Sequence, residues 1–252
     1  MKIVLIGSGN VAWNLGILFT QYKHEVVQVL GSNTNTASAL AYQLNTQSTQ
    51  HFSILNTTAD IYVIAVNDNA VPAVVQQLVG LNKLVVHTSG ALPISILQSC
   101  TNTYGALYPL QSLVYGTTNL PLIPFVIQGN TNAVETQLQA FTQSLYCNYT
   151  IATPSQKLDL HIAAVFANNF TNCLYTLAYN WCQQQHINFE LLLPLIKASA
   201  NKIANENPAI LQTGPAIRHD TTTIQLHQHT LQGNETMLAF YNMFTKYLQQ
   251  GG

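Results

Sequence analysis

The stretch Ile6-Gly7-Ser8-Gly9-Asn10-Val11-Ala12 constrains this chain more than any other. Before it, Lys2-Ile3-Val4-Leu5-Ile6 is a short apolar run of the kind that forms a buried strand. After it, from Asn10 to about Tyr22, apolar residues recur at helical spacing. The junction is therefore strand, turn, helix. In that context Gly7-x-Gly9-x-x-Ala12 fits a dinucleotide fingerprint: the first glycine makes the tight turn, and the second lets a pyrophosphate lie against backbone amides at a helix N-terminus. Ala12 keeps the third position small, so the helix can pack on the strand. Glycine turns of this kind also join strands to helices in proteins that bind nothing there, so the motif by itself leaves that alternative open.

The rhythm continues. Glu25 to Leu30 reads as a strand, followed by a helix through about Leu44, and Asp60 to Val66 is a nearly continuous apolar strand of the type buried on both faces of a parallel sheet. A helix from Asn69 to Leu78, with Pro72 in its first turn, precedes the strand Lys83 to Val86 and the turn His87-Thr88-Ser89-Gly90. A short helix near Pro93 to Ser99, strands at Tyr104 to Tyr108 and Pro124 to Gln128, a helix from Asn132 to Tyr146 and the segment Asn148 to Ala152 complete the pattern. From Pro154 onward only helical spacing remains. The expected fold is α/β: a Rossmann-like, doubly wound, mostly parallel sheet over residues 1–153, then an all-helical domain over 154–252.

Composition excludes several classes of function. Only 7% of residues are charged and the formal net charge is -1, so no basic surface is available for nucleic-acid phosphates. No apolar run approaches the ~18 residues of a membrane span, and no leader-like segment opens the chain, which predicts a soluble cytoplasmic protein. Cys100, Cys147, Cys173 and Cys182 lack metal-ligand spacing and read as small apolar residues rather than a disulfide framework. Arg218 is the single arginine, which draws attention to its surroundings.

Ligands of open α/β sheets sit at the carboxyl ends of the strands. Val66, Asn67 and Asp68 follow one strand, His87, Thr88 and Ser89 the next, and Tyr108 and Gln111 the one after. With Gly7, Ser8, Gly9, Asn10 and Val11, the residues Val66, Asn67, His87 and Ser89 form the expected coenzyme rim. The adenosine-ribose position reads Leu30-Gly31-Ser32-Asn33-Thr34, with no carboxylate to repel a 2′-phosphate, so Ser32 and Asn33 favour NADP over NAD. In the long helix, His161, Val165, Asn168 and Asn172 recur at spacings of four, three and four, which predicts a half-buried stripe with His161 as acid or base and Asn168 as an orienting amide. A polar network joining helices would give the same pattern. Arg218 stands beside Asp220 before a helix, where it could clamp an anionic substrate or serve a salt bridge next to a helix cap. His227 and His229 lie two apart, on different helix faces, so no metal site is expected there.

Taken in order, "IGSGNVAWNLG", "VVHTSGAL", "YPLQS", "HIAAVFANNF" and "TGPAIRHD" followed by "IQLH" resemble, across almost the whole chain, a bacterial family with a Rossmann-like N-terminal domain and a helical C-terminal domain of unassigned role, whose members are labelled NADP oxidoreductases. Its layout is similar to that of pyrroline-5-carboxylate reductases, prephenate dehydrogenases and β-hydroxyacid dehydrogenases. The resemblance implies that residues 7–11 cradle the pyrophosphate and that His87, Ser89, Tyr108 and Gln111 line the substrate cleft. It further implies that His161, Asn168, Arg218, Asp220 and His227 are the helical domain's contribution, with a homodimer formed through that domain. Two departures stand out: Ser32-Asn33 replaces the family's common serine-arginine pair, and Lys157, one helical turn before His161, is not a clear counterpart of the β-hydroxyacid enzymes' lysine. The expected function is an oxidoreductase passing hydride between NADP and a small anionic carbonyl, imine or hydroxy compound. A nucleotide-sensing module and a dimeric scaffold remain the alternatives.

Overall fold

The computed structural model describes residues 1–117 and 119–251. The chain divides into two compact units, Met1–Asn169 and Phe170–Gly252.

The first unit is built on a sheet of eight strands: β1 (Lys2–Ile6), β2 (Glu25–Leu30), β3 (Ser48–Thr49), β4 (Ile61–Ile64), β5 (Leu84–His87), β6 (Tyr104–Pro109), β7 (Phe125–Gly129) and β8 (Tyr149–Ile151). Their order is β3-β2-β1-β4-β5-β6-β7-β8. β1 to β6 run parallel, β7 is antiparallel to β6, and β8 is parallel to β7. The sheet is thus the expected Rossmann-like, mostly parallel one. Chain progression reverses between β1 and β4, which creates the crevice where doubly wound sheets take their ligands.

The strands read as unbroken apolar runs because both faces are covered. Ile3 and Leu5 point into a core with Phe19, Leu138 and Phe141, while Val4 and Ile6 point into a second core with Tyr62, Ile64, Val75 and Leu97. This odd-even division is the two-residue period of a strand buried on both sides. The covering helices are α1 (Asn10–Gln21), α2 (Thr34–Gln43), α3 (Val71–Gln77) and α4 (Asn132–Ser144), with α5 (Pro154–Ala164) closing the unit. The helix expected near Pro93 is a single 3-10 turn, Ile94–Leu97.

Thr153-Pro154, where strand rhythm stops in the sequence, is a capping box. The Thr153 hydroxyl accepts from the Gln156 N–H, the Gln156 side chain accepts from the Thr153 N–H, and Pro154 occupies the first turn. α5 nevertheless packs with the sheet, so the first compact unit extends to Asn169. Beyond α5 the helix continues through a π turn, Val165–Phe170, into α6 (Thr171–Gln184).

The second unit contains α6, α7 (Leu193–Ile203), α8 (Thr221–Thr230) and α9 (Glu235–Gln249). Leu174 and Leu177 of α6 face Phe240, Phe244 and Leu248 of α9 across an apolar cavity of about 280 Å³. All four cysteines are free thiols. No helix among the described residues is long and apolar enough to cross a membrane.

Candidate functional site

The turn after β1 is shaped by what its glycines exclude and admit. Gly7 has φ 127°, and a Cβ there would overlap the Ala65 carbonyl, so only glycine lets β1 turn this tightly beside the end of β4. Gly9 differs: its φ is -86°, and a Cβ would meet nothing within 4 Å. It caps α1 without any side-chain hydrogen bond, so no side chain of the cap satisfies the first amides of the helix. The positive end of this twelve-residue helix is of the kind that suits an anion. Ala12 is fully buried against the sheet.

Ser8 and the loop after β2 are tied together. The Ser8 hydroxyl is 2.7 Å from that of Thr36, and Gly31 leaves no room for a Cβ beside Ser8 and Ala37. Asn33 caps α2, its Oδ1 accepting from the Asn35 and Thr36 N–H groups. Gln50 donates to the Ser32 carbonyl and the Thr34 hydroxyl. The loop after β2 therefore carries hydroxyls and amides tied by hydrogen bonds, with Ser32 and Asn33 exposed. Val66 is half-buried, and Asn67 is exposed at the start of the 3-10 turn Asp68–Ala70.

At the end of β5 the polar groups converge. His87 is fully buried. Its Nδ1 accepts from the Ser89 N–H, which places the ring proton on Nε2, where it has no hydrogen-bond partner. Burial, reinforced by the positive charge of Lys157 and opposed by the Pro93 carbonyl, depresses its pKa to about 4, so the ring is neutral. Ser89 Oγ donates to Asp68 Oδ2 at 2.8 Å and accepts from the Ala91 and Leu92 N–H groups. With that acceptance pattern Ser89 shapes the turn.

Lys157, from α5, enters this turn with only 1% of its surface exposed. Its Nζ donates to the carbonyls of Ser89 (3.1 Å), Gly90 (2.9 Å) and Leu92 (2.7 Å). Burial lowers its pKa to about 8 against the opposing pull of Asp68. One helical turn later on the same face, His161 Nδ1 meets the Tyr108 hydroxyl at 3.0 Å, the two rings edge to face with centroids 5.7 Å apart. Burial holds the Tyr108 phenol above its ordinary pKa, so it is protonated at neutral pH. A Cβ on Gly90 would lie 2.7 Å from His161 Nδ1 and 2.8 Å from Tyr108 Cζ, so the turn, the imidazole and the phenol pack on one another.

The sequence-predicted residues thus sort by place. His87, Ser89, Tyr108 and His161 come together in the first unit. Gln111 is exposed and bonds within its own loop, its Nε2 donating to the Leu122 carbonyl and its Oε1 accepting from Ser112 N–H. The expected half-buried stripe does not continue from His161, because the π turn holds more residues per turn than an α-helix and rotates the residues beyond it out of line. Asn168, inside that turn, and Asn172, past its end, are exposed. In the second unit, Asp220 caps α8 through the Thr223 N–H and hydroxyl, which with the nearby positive charge of Arg218 and His227 lower its pKa. Arg218 is exposed, and His227 Nδ1 is 3.0 Å from the Tyr241 hydroxyl. Among the described residues no three His, Cys, Asp or Glu side chains gather as metal ligands. Lys157 is the residue that sequence reading left without a role; its spacing of four from His161 in a chain so poor in charge was the available signal.

A mostly parallel sheet whose chain progression reverses between β1 and β4, with a glycine turn leading from β1 into α1, is the layout of the Rossmann-like dinucleotide-binding class. Residues 2–90 match the family described as "NADP oxidoreductase coenzyme F420-dependent", and residues 123–248 match "Domain of unknown function (DUF2520)". The chain belongs to the family that joins these two parts. It is 31% identical to a Bacteroides fragilis protein described as a "putative NADP oxidoreductase", with 99% of this chain and 98% of that one covered at a TM-score of 0.93. The fold is shared with 1-pyrroline-5-carboxylate reductase of Streptococcus pyogenes (14% identity, 99% and 98% covered, TM-score 0.66) and with an imine reductase of Myxococcus stipitatus in complex with NADP+ (14%, 99% and 93%, TM-score 0.66). No curated protein matches the sequence.

Proposed function

We propose that this protein is an NADP-preferring oxidoreductase that reduces or oxidises a small carbonyl, imine or hydroxy compound carrying an anionic group. The hydrogen bond between Tyr108 and His161 carries the reading, because it joins a neutral phenol to an imidazole, a pair able to pass a proton, beside the turn that ends β5. Residues 7–11 hold the pyrophosphate, Ser32 and Asn33 face the ribose, and Val66, Asn67, His87 and Ser89 complete the rim. When bound, the reduced nicotinamide supplies the hydride. Tyr108 donates its hydroxyl proton to the oxygen or nitrogen that gains electrons; His161, entering the step as the imidazolium, returns a proton from Nδ1 to the phenolate, is left as the neutral ring and takes up a proton from solvent. In the reverse direction the same two groups withdraw it.

The preference for an anionic substrate rests on Arg218, the single guanidinium of the chain, which is exposed and suited to a carboxylate or phosphate. Asn168, Asp220 and His227 are assigned to the substrate side of the helical part on the family resemblance, and Asn172 on its spacing of four from Asn168. That part also forms a homodimer: Leu195, Met243 and Tyr247 leave more than half of their surfaces exposed, an apolar area that a second copy would cover. Free thiols fit a reducing cytoplasm.

Thermal denaturation with NADP, NADPH, NAD and NADH is the first test, since a ligand at 100 times its Kd stabilises by about 2.7 kcal/mol. No shift with any of them leaves a scaffold. A shift without absorbance change across keto acids, imines and hydroxy acids leaves a sensing module. Light scattering at a single-chain mass would remove the dimer.

A further inference from the structure

Lys157 is buried and charged, yet it has no donor left for a ligand. Its ammonium carries three protons, and three carbonyls within 3.1 Å take them. A lysine so engaged is neither a nucleophile nor an anion site. What it does mechanically is hold α5 on the turn 89–92. The same turn also packs against the Tyr108–His161 pair, since the space where a Gly90 Cβ would stand is taken by His161 Nδ1, His161 Cγ and Tyr108 Cζ. Lys157 and His161 lie four residues apart on one helix, so pulling the turn toward the ammonium seats the imidazole against Gly90.

We propose that Lys157 is a positioning residue: by binding the carbonyls of Ser89, Gly90 and Leu92 it fixes α5 against the β5 turn and so sets the Tyr108–His161 hydrogen-bond distance. The role of that pair in proton transfer rests on the function proposed above; the geometric claim about Lys157 does not. Other ionisable groups around the ammonium are Asp68, whose carboxylate also holds Ser89, and neutral His87 on β5. Neither replaces the three carbonyl contacts, which come from backbone alone.

The test uses the full-length protein without coenzyme, labelled for NMR at histidine ring nitrogens and backbone carbonyls. Lys157→Met keeps the bulk and removes the donors. The expected result is loss of the hydrogen-bonded signature of His161 Nδ1 together with upfield shifts of the Ser89, Gly90 and Leu92 carbonyls, whereas NADPH affinity stays within about twofold of the original. His161 signals in folded Lys157→Met that superimpose on the original would overturn the proposal. Should Lys157→Met not fold, the unaltered protein decides the matter. On raising the pH through about 8, deprotonation of Lys157 should move the three carbonyl resonances, and the His161 ring signals should shift with the same midpoint. Ring signals indifferent to that transition overturn the proposal equally. Weak NADPH binding by the original protein, with the His161 response intact, would instead count against the oxidoreductase reading alone.

Discussion

Tyr108 and His161 stand fifty-three positions apart in the chain and share a 3.0 Å hydrogen bond across the turn that ends β5. One comes from a strand of the sheet and the other from the last helix of the first unit, so the pair exists only once α5 has docked. If it moves the proton, Tyr108→Phe and His161→Ala should each lower kcat by roughly 10²–10⁴-fold, while calorimetry shows NADPH affinity unchanged. Full turnover in either variant would remove that residue from the mechanism.

The two glycines of the first turn should fail in different ways. Gly7→Ala forces a Cβ onto the Ala65 carbonyl at a positive φ, and is expected to cost roughly 2–4 kcal/mol of stability, read as a drop in Tm. Gly9→Ala places its methyl in open space at an ordinary φ, so Tm should hold, while coenzyme binding should weaken if the pyrophosphate lies where the proposed function puts it. Equal behaviour of the two variants would contradict the assignment.

The proposed preference for NADP should weaken on a substitution that leaves the fold undisturbed. Asn33 uses Oδ1 to cap α2, and aspartate caps a helix as well as asparagine does. Asn33→Asp should therefore leave Tm unchanged, add a carboxylate beside the ribose, and weaken NADP relative to NAD by roughly tenfold or more, measured as the ratio of their dissociation constants.

Acid should weaken the protein through His87. Its pKa is about 4 in the folded chain and 6.5 in the reference state, so between those values the unfolded chain binds a proton that the native chain refuses. The stability due to the neutral buried ring is complete above pH 6.5 and is lost as pH falls toward 4, on the order of 3 kcal/mol in all. His87→Asn, which keeps an acceptor for the Ser89 N–H, should flatten denaturation midpoints across that window relative to the original.

What the sequence disclosed was local. The turn from β1 into α1, the double-sided burial of β4 and the end of strand rhythm at Pro154 are all written in residues within a few positions of one another, so their patterns survive without the fold. Lys157 was illegible because its partners are backbone carbonyls 65 to 68 positions away, and a carbonyl has no sequence signature. The stripe through Asn168 and Asn172 was extrapolated at a constant helical period, and nothing in Val165-Phe166-Ala167-Asn168-Asn169-Phe170 announces a π turn.

The reversal of β7 has a consequence for how such a protein can change. Because β6 runs out where β7 begins, the start of the connection between them, residues 110–117, lies beside α1, where the Val114 carbonyl takes a hydrogen bond from Asn14 and Tyr115 packs on Trp13. Insertions or exchanges in that segment would remodel the mouth above the first helix while every strand keeps its neighbours, so new chemistry could be grafted there without refolding the scaffold beneath.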